Sequence, residues 1–198
     1  MKFVIKRIFD VVSSLLVILL LFPLFIVISI WISIDSRGGV FYKQSRVGKD
    51  GKEFWLLKFR SMSKGADSKG QLTIGNDSRI TKPGKFIRKY KIDEFPQLLN
   101  VLAGEMSVVG PRPEVPKYVK LYTNEQLKVL SVLPGLTDFA SLEYIDEQKI
   151  LGEALDPEKI YIQKVMQEKL KLNLKYVQEH NLIVDLKLVF KTVGKIFS

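Results

Sequence analysis

Apolar residues follow three different rhythms along this chain, and each rhythm predicts a different kind of element. From Val11 to Ile34 the apolar run is broken only by Ser13, Ser14, Ser29, Ser33 and Pro23, and no charge appears between Asp10 and Asp35. As a straight helix the run would be about 36 Å long, enough to cross a hydrocarbon core of about 30 Å. Two short aromatic-rich runs follow, Val40 to Gln44 and Glu53 to Phe59, and the Asp-Gly pair in Gly48-Lys49-Asp50-Gly51 between them predicts a β-hairpin. Helical spacing then takes over. It predicts helices over Lys85 to Lys91 and over Pro96 to Leu102, the second stopping at Gly104. The capping pattern Thr123-Asn124-Glu125-Gln126 opens another that ends before Pro134-Gly135, and Asp156-Pro157 opens a longer one to about Gln178, with Tyr161, Val165, Leu172 and Tyr176 near one face. The polar stretch Ser61 to Ser78 reads as a loop able to close over a site. The expected fold class is α+β, mainly helical, with a membrane-embedded segment over residues 1–36 and a catalytic or binding domain over 37–198.

Pro23 decides how the first segment meets the membrane. It removes the hydrogen bond to the Leu19 carbonyl, and each half is then about 16 to 18 Å long, too short to cross alone. Lys2, Lys6 and Arg7 precede the run, while Arg37, Lys43, Arg46, Lys49 and Lys52 follow it, and positive flanks prefer the cytoplasmic side. A proline-broken re-entrant helix that enters and leaves by one face suits both flanks; a kinked ordinary span is the other reading. In the last segment Leu182, Ile183, Leu186, Val189, Phe190, Val193 and Phe197 recur at helical spacing, and Lys187, Lys191 and Lys195 step along another face. That is a basic amphipathic helix lying on an anionic membrane surface, or else a core helix.

The net charge of +10 calls for a polyanionic partner: nucleic acid, anionic lipid or a phosphorylated small molecule. The chain has no cysteine, which excludes disulfides and thiolate metal sites. Neither G-x-G-x-x-G nor G-x-x-x-x-G-K-[ST] occurs, so the two common glycine-rich phosphate cradles are excluded as well. Instead the cations Arg79, Lys82, Lys85, Arg88, Lys89 and Lys91 run uninterrupted by any acid up to the pair Asp93-Glu94. Either carboxylate can serve as the N-cap of the helix at Pro96. A cap needs only one, however, and two carboxylates about 6 Å apart repel by roughly 3 kcal/mol at an effective dielectric near 20. A divalent cation relieves that repulsion, and an oxygen-only set completed by water and substrate phosphate suits Mg²⁺ better than Zn²⁺. Arg112, between Pro111 and Pro113, is either a plain loop arginine or a guanidinium on a stiff platform for bidentate phosphate binding. Lys58 and Arg60 close the second strand, as a solvated strand end or as phosphate contacts. His180, the single histidine, sits at a helix junction and reads as structural.

The strings Phe41-Tyr42-Lys43-Gln44, Arg46-Val47-Gly48, Lys58-Phe59-Arg60-Ser61-Met62, Ile92-Asp93-Glu94-Phe95-Pro96-Gln97, Asn100-Val101-Leu102, Gly104-Glu105-Met106-Ser107 and Val109-Gly110-Pro111-Arg112-Pro113 resemble, in that order, the bacterial sugar transferases. The likeness is to their short, monotopic polyprenyl-phosphate phosphoglycosyl transferases, and it is close from about Phe9 to Gly135. It implies transfer of a sugar 1-phosphate from a UDP-sugar to a polyprenyl phosphate such as undecaprenyl phosphate, with release of UMP and with Mg²⁺ present. It implies that Asp93 is the nucleophile and forms a covalent phosphosugar intermediate, that Glu94 assists with Mg²⁺ or proton handling, and that Arg112 holds phosphate, with Arg88 as the second phosphate contact. It further implies the re-entrant topology, a place on the cytoplasmic face of the bacterial inner membrane among its lipids, downstream glycosyltransferases as partners, and no nucleic acid. Two positions depart from the family's pattern. Phe22, not serine, precedes Pro23, and Leu136-Thr137-Asp138 replaces the common Thr-Gly ending, which bears on donor specificity. A non-enzymatic, membrane-tethered basic protein binding nucleic acid or anionic lipid is the competing reading. It uses the charge but leaves the acidic pair and the Pro-Arg-Pro without a role.

Overall fold

The computed structural model describes residues 2–66, 77–143 and 147–196, so most of the loop expected over Ser61 to Ser78 lies outside the described residues. It begins with helix α1 (Lys2–Asp35), the one described helix long and apolar enough to cross a membrane. Pro23 sits inside α1, which runs as one helix through it. A mid-helix proline removes one backbone hydrogen bond, and contacts at both ends hold the remaining turns together. Ser13, Ser29 and Ser33 return their hydroxyls to the carbonyls of Phe9, Phe25 and Ser29, so three of the run's four serines are satisfied within the helix. Leu16, Leu19, Leu20 and Phe22 remain exposed.

Strands β1 (Phe41–Val47) and β2 (Glu53–Phe59) form the expected antiparallel hairpin, in which Tyr42 faces Lys58 and Arg46 faces Phe54. Asp50 and Gly51 both take positive φ (56° and 74°) at its turn, the geometry that the Asp-Gly pair predicts. Helix α2 (Lys82–Lys89) starts at Thr81, whose hydroxyl accepts from the Gly84 N–H. A 3-10 turn over Ile92–Glu94 leads into α3 (Gln97–Ala103), which stops at Gly104.

Beyond α3 come β3 (Ser107–Val109), α4 (Pro116–Val119), a 3-10 helix over Gln126–Ser131, β4 (Gly135–Thr137), α5 (Phe139–Glu143), α6 (Glu147–Gly152), α7 (Pro157–Ile160), a π turn over Tyr161–Val165, α8 (Met166–Glu179) and α9 (Leu182–Ile196). The capping box forms as expected, Thr123 and Gln126 bonding reciprocally, yet what it opens is 3-10 helix and not α-helix. β3 and β4 pair in parallel, an unexpected second sheet whose strands are too short to show a period. The long helix from Pro157 to Glu179 is present with a π turn inside it. One extra residue per turn there shifts the buried face from Tyr161 and Val165 to Met166, Leu170, Asn173 and Tyr176, and Leu172 drops off it.

Both ends of α1 are fastened to this body. Near its start, Arg7 caps α3 through the carbonyls of Val101 (2.6 Å) and Leu102 (2.9 Å). Lys6 pairs with the buried Asp185 of α9 at 2.6 Å and donates to the Val109 carbonyl, while Asp10 accepts from the Ser107 hydroxyl and the Val108 N–H. The Tyr176 hydroxyl lies 3.0 Å from the Val109 carbonyl and 2.7 Å from Asp185, completing a buried polar seam between α1, β3, α8 and α9. Near its end, Ile28 and Ile32 pack with Phe59, Ile87 and Ile92, and Phe25 meets Phe59 edge-on at 5.5 Å. Helix α9 buries Asp185 and Leu188 and leaves Ile183, Leu186, Phe190 and Val193 exposed.

Two glycines test this packing with opposite signs. A Cβ on Gly84 would lie 1.9 Å from the Ser61 carbonyl oxygen, so Gly84→Ala must push α2 off the end of the hairpin and is expected to destabilise by about 1 to 3 kcal/mol. A Cβ on Gly194, in α9, meets nothing within 4 Å, and Gly194→Ala is expected to stabilise by about 0.5 to 1 kcal/mol through helix propensity. Thermal unfolding of the two variants should move the midpoint in opposite directions.

Candidate active site

The acidic pair sits in a tight place. Lys91, just before it, is held at φ 56°, a left-handed conformation uncommon for a side-chain-bearing residue, and the 3-10 turn over Ile92–Glu94 follows at once. Neither carboxylate caps α3, whose N-cap is Pro96 with no side-chain bond, so the capping reading of Asp93 and Glu94 is overturned. The turn instead presents both side chains to an open cleft of about 1170 Å³, walled by Lys58, Arg88 and Arg112 together with Ser13, Ser14 and Val17 of α1.

The two carboxylates are treated unequally. Arg112 grips Glu94 with both terminal nitrogens, one of them 3.1 Å from Oε2, and Lys58 approaches Oε1 at 3.4 Å. Burial alone would raise the Glu94 carboxyl, but Arg112 and then Lys58 outweigh it and hold it well below the usual carboxylate range. Asp93, 6% exposed, receives neither a hydrogen bond nor an ion pair from the described residues. Burial, and after it the Glu94 charge, push its carboxyl up against the opposing pull of Lys58, Arg88 and Lys91. The arrangement therefore holds one neutralised carboxylate beside one unengaged carboxylate, within a ring of cations.

Lys58, Arg88 and Arg112 thus converge on the pair as the sequence suggests, Arg88 also bonding the Ser61 hydroxyl. Arg60 does not. Its guanidinium, buried at the far end of the hairpin, donates to the carbonyls of Ser36 (2.8 Å) and Arg37 (2.6 Å) and caps the end of α1. The unpaired carbonyls at a helix end claim a buried guanidinium, which corrects its reading as a phosphate contact. His180 ends α8 and takes no part in the cleft.

Two further groups were not singled out from the sequence. Arg46 lines the cleft beside Arg112, bonded to Gln44, the Pro113 carbonyl and Glu114, and Glu114 in turn accepts from the Tyr161 hydroxyl and the Val115 N–H. Strand alternation carried the signal for Arg46. Residues 44 and 46, and Lys58 across the hairpin, fall on one face. Nothing local in the sequence marks Glu114, whose partners come from β1 and the π turn.

Among the described residues no three His, Cys, Asp or Glu side chains gather in a metal site. Asp93 and Glu94 are the carboxylates of the cleft that could hold a divalent cation, with water and phosphate completing its shell.

Residues 1–198 match the family model described as bacterial sugar transferase. The chain is 38% identical to the uncharacterized sugar transferase EpsL of Bacillus subtilis (strain 168), over 98% of this chain and 87% of that protein. It is 35% identical to a UDP-N-acetylgalactosamine-undecaprenyl-phosphate N-acetylgalactosaminephosphotransferase of Aeromonas hydrophila, and 37% identical to a UDP-glucose:undecaprenyl-phosphate glucose-1-phosphate transferase of Klebsiella pneumoniae. Each match takes in 98% of this chain but only 44% and 40%, respectively, of those longer relatives. Every string that carried the resemblance lies within the matched span, and on that ground the chain belongs to the bacterial sugar transferase family.

Proposed function

We propose that this protein transfers a sugar 1-phosphate from a UDP-sugar to undecaprenyl phosphate or a related polyprenyl phosphate, releasing UMP, as the membrane step that supplies glycosyltransferases acting on the lipid-linked sugar. The observation that carries the reading is the unengaged Asp93 carboxylate beside a Glu94 already neutralised by Arg112 and Lys58. An Asp93 oxygen attacks the phosphorus that bears the sugar, the bond to the UMP oxygen breaks, and an aspartyl phosphosugar forms. A phosphate oxygen of the polyprenyl acceptor then attacks the same phosphorus and frees Asp93. A carboxylate needs no separate base for this, and dividing the transfer in two lowers each barrier. Arg112, Arg88 and Lys58 orient the donor's phosphates and offset their charge, a task of position and electrostatics. Mg²⁺ bound by Asp93, Glu94 and the donor diphosphate would supply further neutralisation of the departing phosphate.

The same reading places α1 in the cytoplasmic membrane as a re-entrant helix, with the cleft on the cytoplasmic side where UDP-sugars are made. A straight helix of this length would run about 51 Å, yet Arg7 near one end and Ile32 near the other both contact one globular body. A helix that crossed the bilayer would carry one end to the far side, away from that body. The exposed apolar face of α9, with Lys187 and Lys191 beside it, suits the membrane surface on the same side.

Wild-type protein with Mg²⁺ and its preferred UDP-sugar is expected to release UMP and to gain the mass of one phosphosugar on Asp93. Asp93→Asn should lose both by about a thousandfold or more. UMP release by Asp93→Asn at the wild-type rate excludes the mechanism. Asp93 must be ionised to attack, so the first half-reaction is present above its pKa and lost as pH falls through it. Glu94→Gln keeps the burial but removes the like charge that helps raise Asp93, and the acid limb of the residual activity should move to lower pH. An unmoved limb, or one at higher pH, assigns the titration to another group. For topology, single cysteines at Phe3 and Gly39, in a chain that otherwise has none, should react with an impermeant reagent from the same face. Labelling from opposite faces means an ordinary span.

A further inference from the structure

Three buried side-chain atoms that find no partner among the described residues lie along the cleft shared with Asp93: Ser14 Oγ, Ser141 Oγ and Asn173 Oδ1. A buried polar atom without a partner is a cost that native structures seldom leave standing, and several on one cavity wall describe the hydrogen-bonding groups of something that fills it. Two of the three are grouped around Arg112. The buried Asp138 accepts the Arg112 backbone N–H on one carboxylate oxygen (3.3 Å) and the Ser141 N–H on the other (2.7 Å), which fixes α5 against the Pro111-Arg112-Pro113 turn. Asn173, on α8 and 5% exposed, lines the cleft and also the small cavity behind Pro111, Arg112 and Pro113.

The far end of the same Arg112 side chain holds Glu94, next to Asp93. A nook lined by Ser141 and Asn173 therefore belongs to the cleft that holds Asp93, on the side from which Arg112 enters it. Its chemistry is neutral. The Asp138 oxygens are engaged by backbone N–H groups, the serine hydroxyl can donate or accept, and the asparagine amide offers an acceptor and donors together. A charged phosphate gains little from such a nook, whereas ring hydroxyls or an acetamido group match it.

We propose that Ser141 and Asn173, set beside Arg112 by Asp138, form the subsite that reads the sugar of the donor. The proposal rests on the transferase reading above and adds the residues that discriminate between sugars. Because a buried hydrogen-bonding site left unpaired penalises the wrong ligand, the subsite acts on the ratio between donors more than on the rate itself.

The test compares UDP with UDP-glucose, UDP-galactose, UDP-N-acetylglucosamine and UDP-N-acetylgalactosamine on purified full-length protein, measuring both binding and UMP release. Wild type should bind its preferred UDP-sugar more tightly than UDP. Ser141→Ala and Asn173→Leu should each remove about tenfold of that advantage while leaving UDP affinity unchanged, and should narrow the preference over the C4 epimer by a similar factor. A thermal midpoint recorded for each variant reports folding separately. Equal losses for a donor and its epimer, a loss of UDP affinity to match, or no change in any ratio each overturn the proposal; the last would mean that the nook holds only water. Should wild type release no UMP from any donor, the transferase reading fails, and the binding difference between UDP and UDP-sugars still decides the subsite.

Discussion

The grip of Arg112 and Lys58 on Glu94 is the interaction around which the cleft is built. Two adjacent carboxylates withdrawn from water need compensation, and here the direct hydrogen bonds and ion pairs go to one of them. Concentrating the compensation ties together three separate parts of the chain: the 3-10 turn, the second strand of the hairpin, and the turn after β3. It also leaves Asp93 unengaged and raised, the condition in which a carboxylate is held in reserve for a reacting partner. The left-handed Lys91 just before the pair fits the same picture, since an uncommon backbone conformation persists where its surroundings over-determine it.

Much of the remaining architecture keeps those cations aimed. The hairpin carries Lys58 and Arg46 on one face, and the Val47 N–H bonds the Glu114 carbonyl, so the strand that bears Arg46 is laced to the turn that bears Arg112. Behind that turn the parallel pair of β3 and β4 fixes its entry, with the Gly135 N–H on the Pro111 carbonyl and the Gly110 N–H on that of Thr137. Asp138 then fixes its backbone from the other side. A bidentate ion pair is exacting about angle, and these neutral hydrogen bonds supply the rigidity that it requires.

What the sequence made legible was local. The Asp-Gly turn, the Thr123 cap and the stop at Gly104 are decided by residues within a few positions of one another, and they stand where the pattern puts them. Asp93, Glu94 and Arg112 were legible because two acids together and an arginine between prolines are costly or stiff enough to stand out. Arg60 was misread because the groups that claim it, the carbonyls of Ser36 and Arg37, lie in a part of the chain that no spacing rule connects to β2. The parallel strands were too short to show a period, and the π turn displaced Leu172 from the face that a uniform helix would give it. Pairings such as Lys6 with Asp185 leave no trace in any local window.

That last pairing joins residues 179 positions apart, one in the first turns of the first helix and one in the last. On a ribosome α1 emerges before β3 and α9, carrying Lys6 and Asp10 with nothing yet to bond. Asp10 waits for Ser107 and Val108, and Lys6 waits until α9 has been made. Closure of the seam therefore has to await α9, and a chain cut short before α9 would carry α1 but lack the Asp185 that neutralises Lys6 beside the strand leading to Arg112.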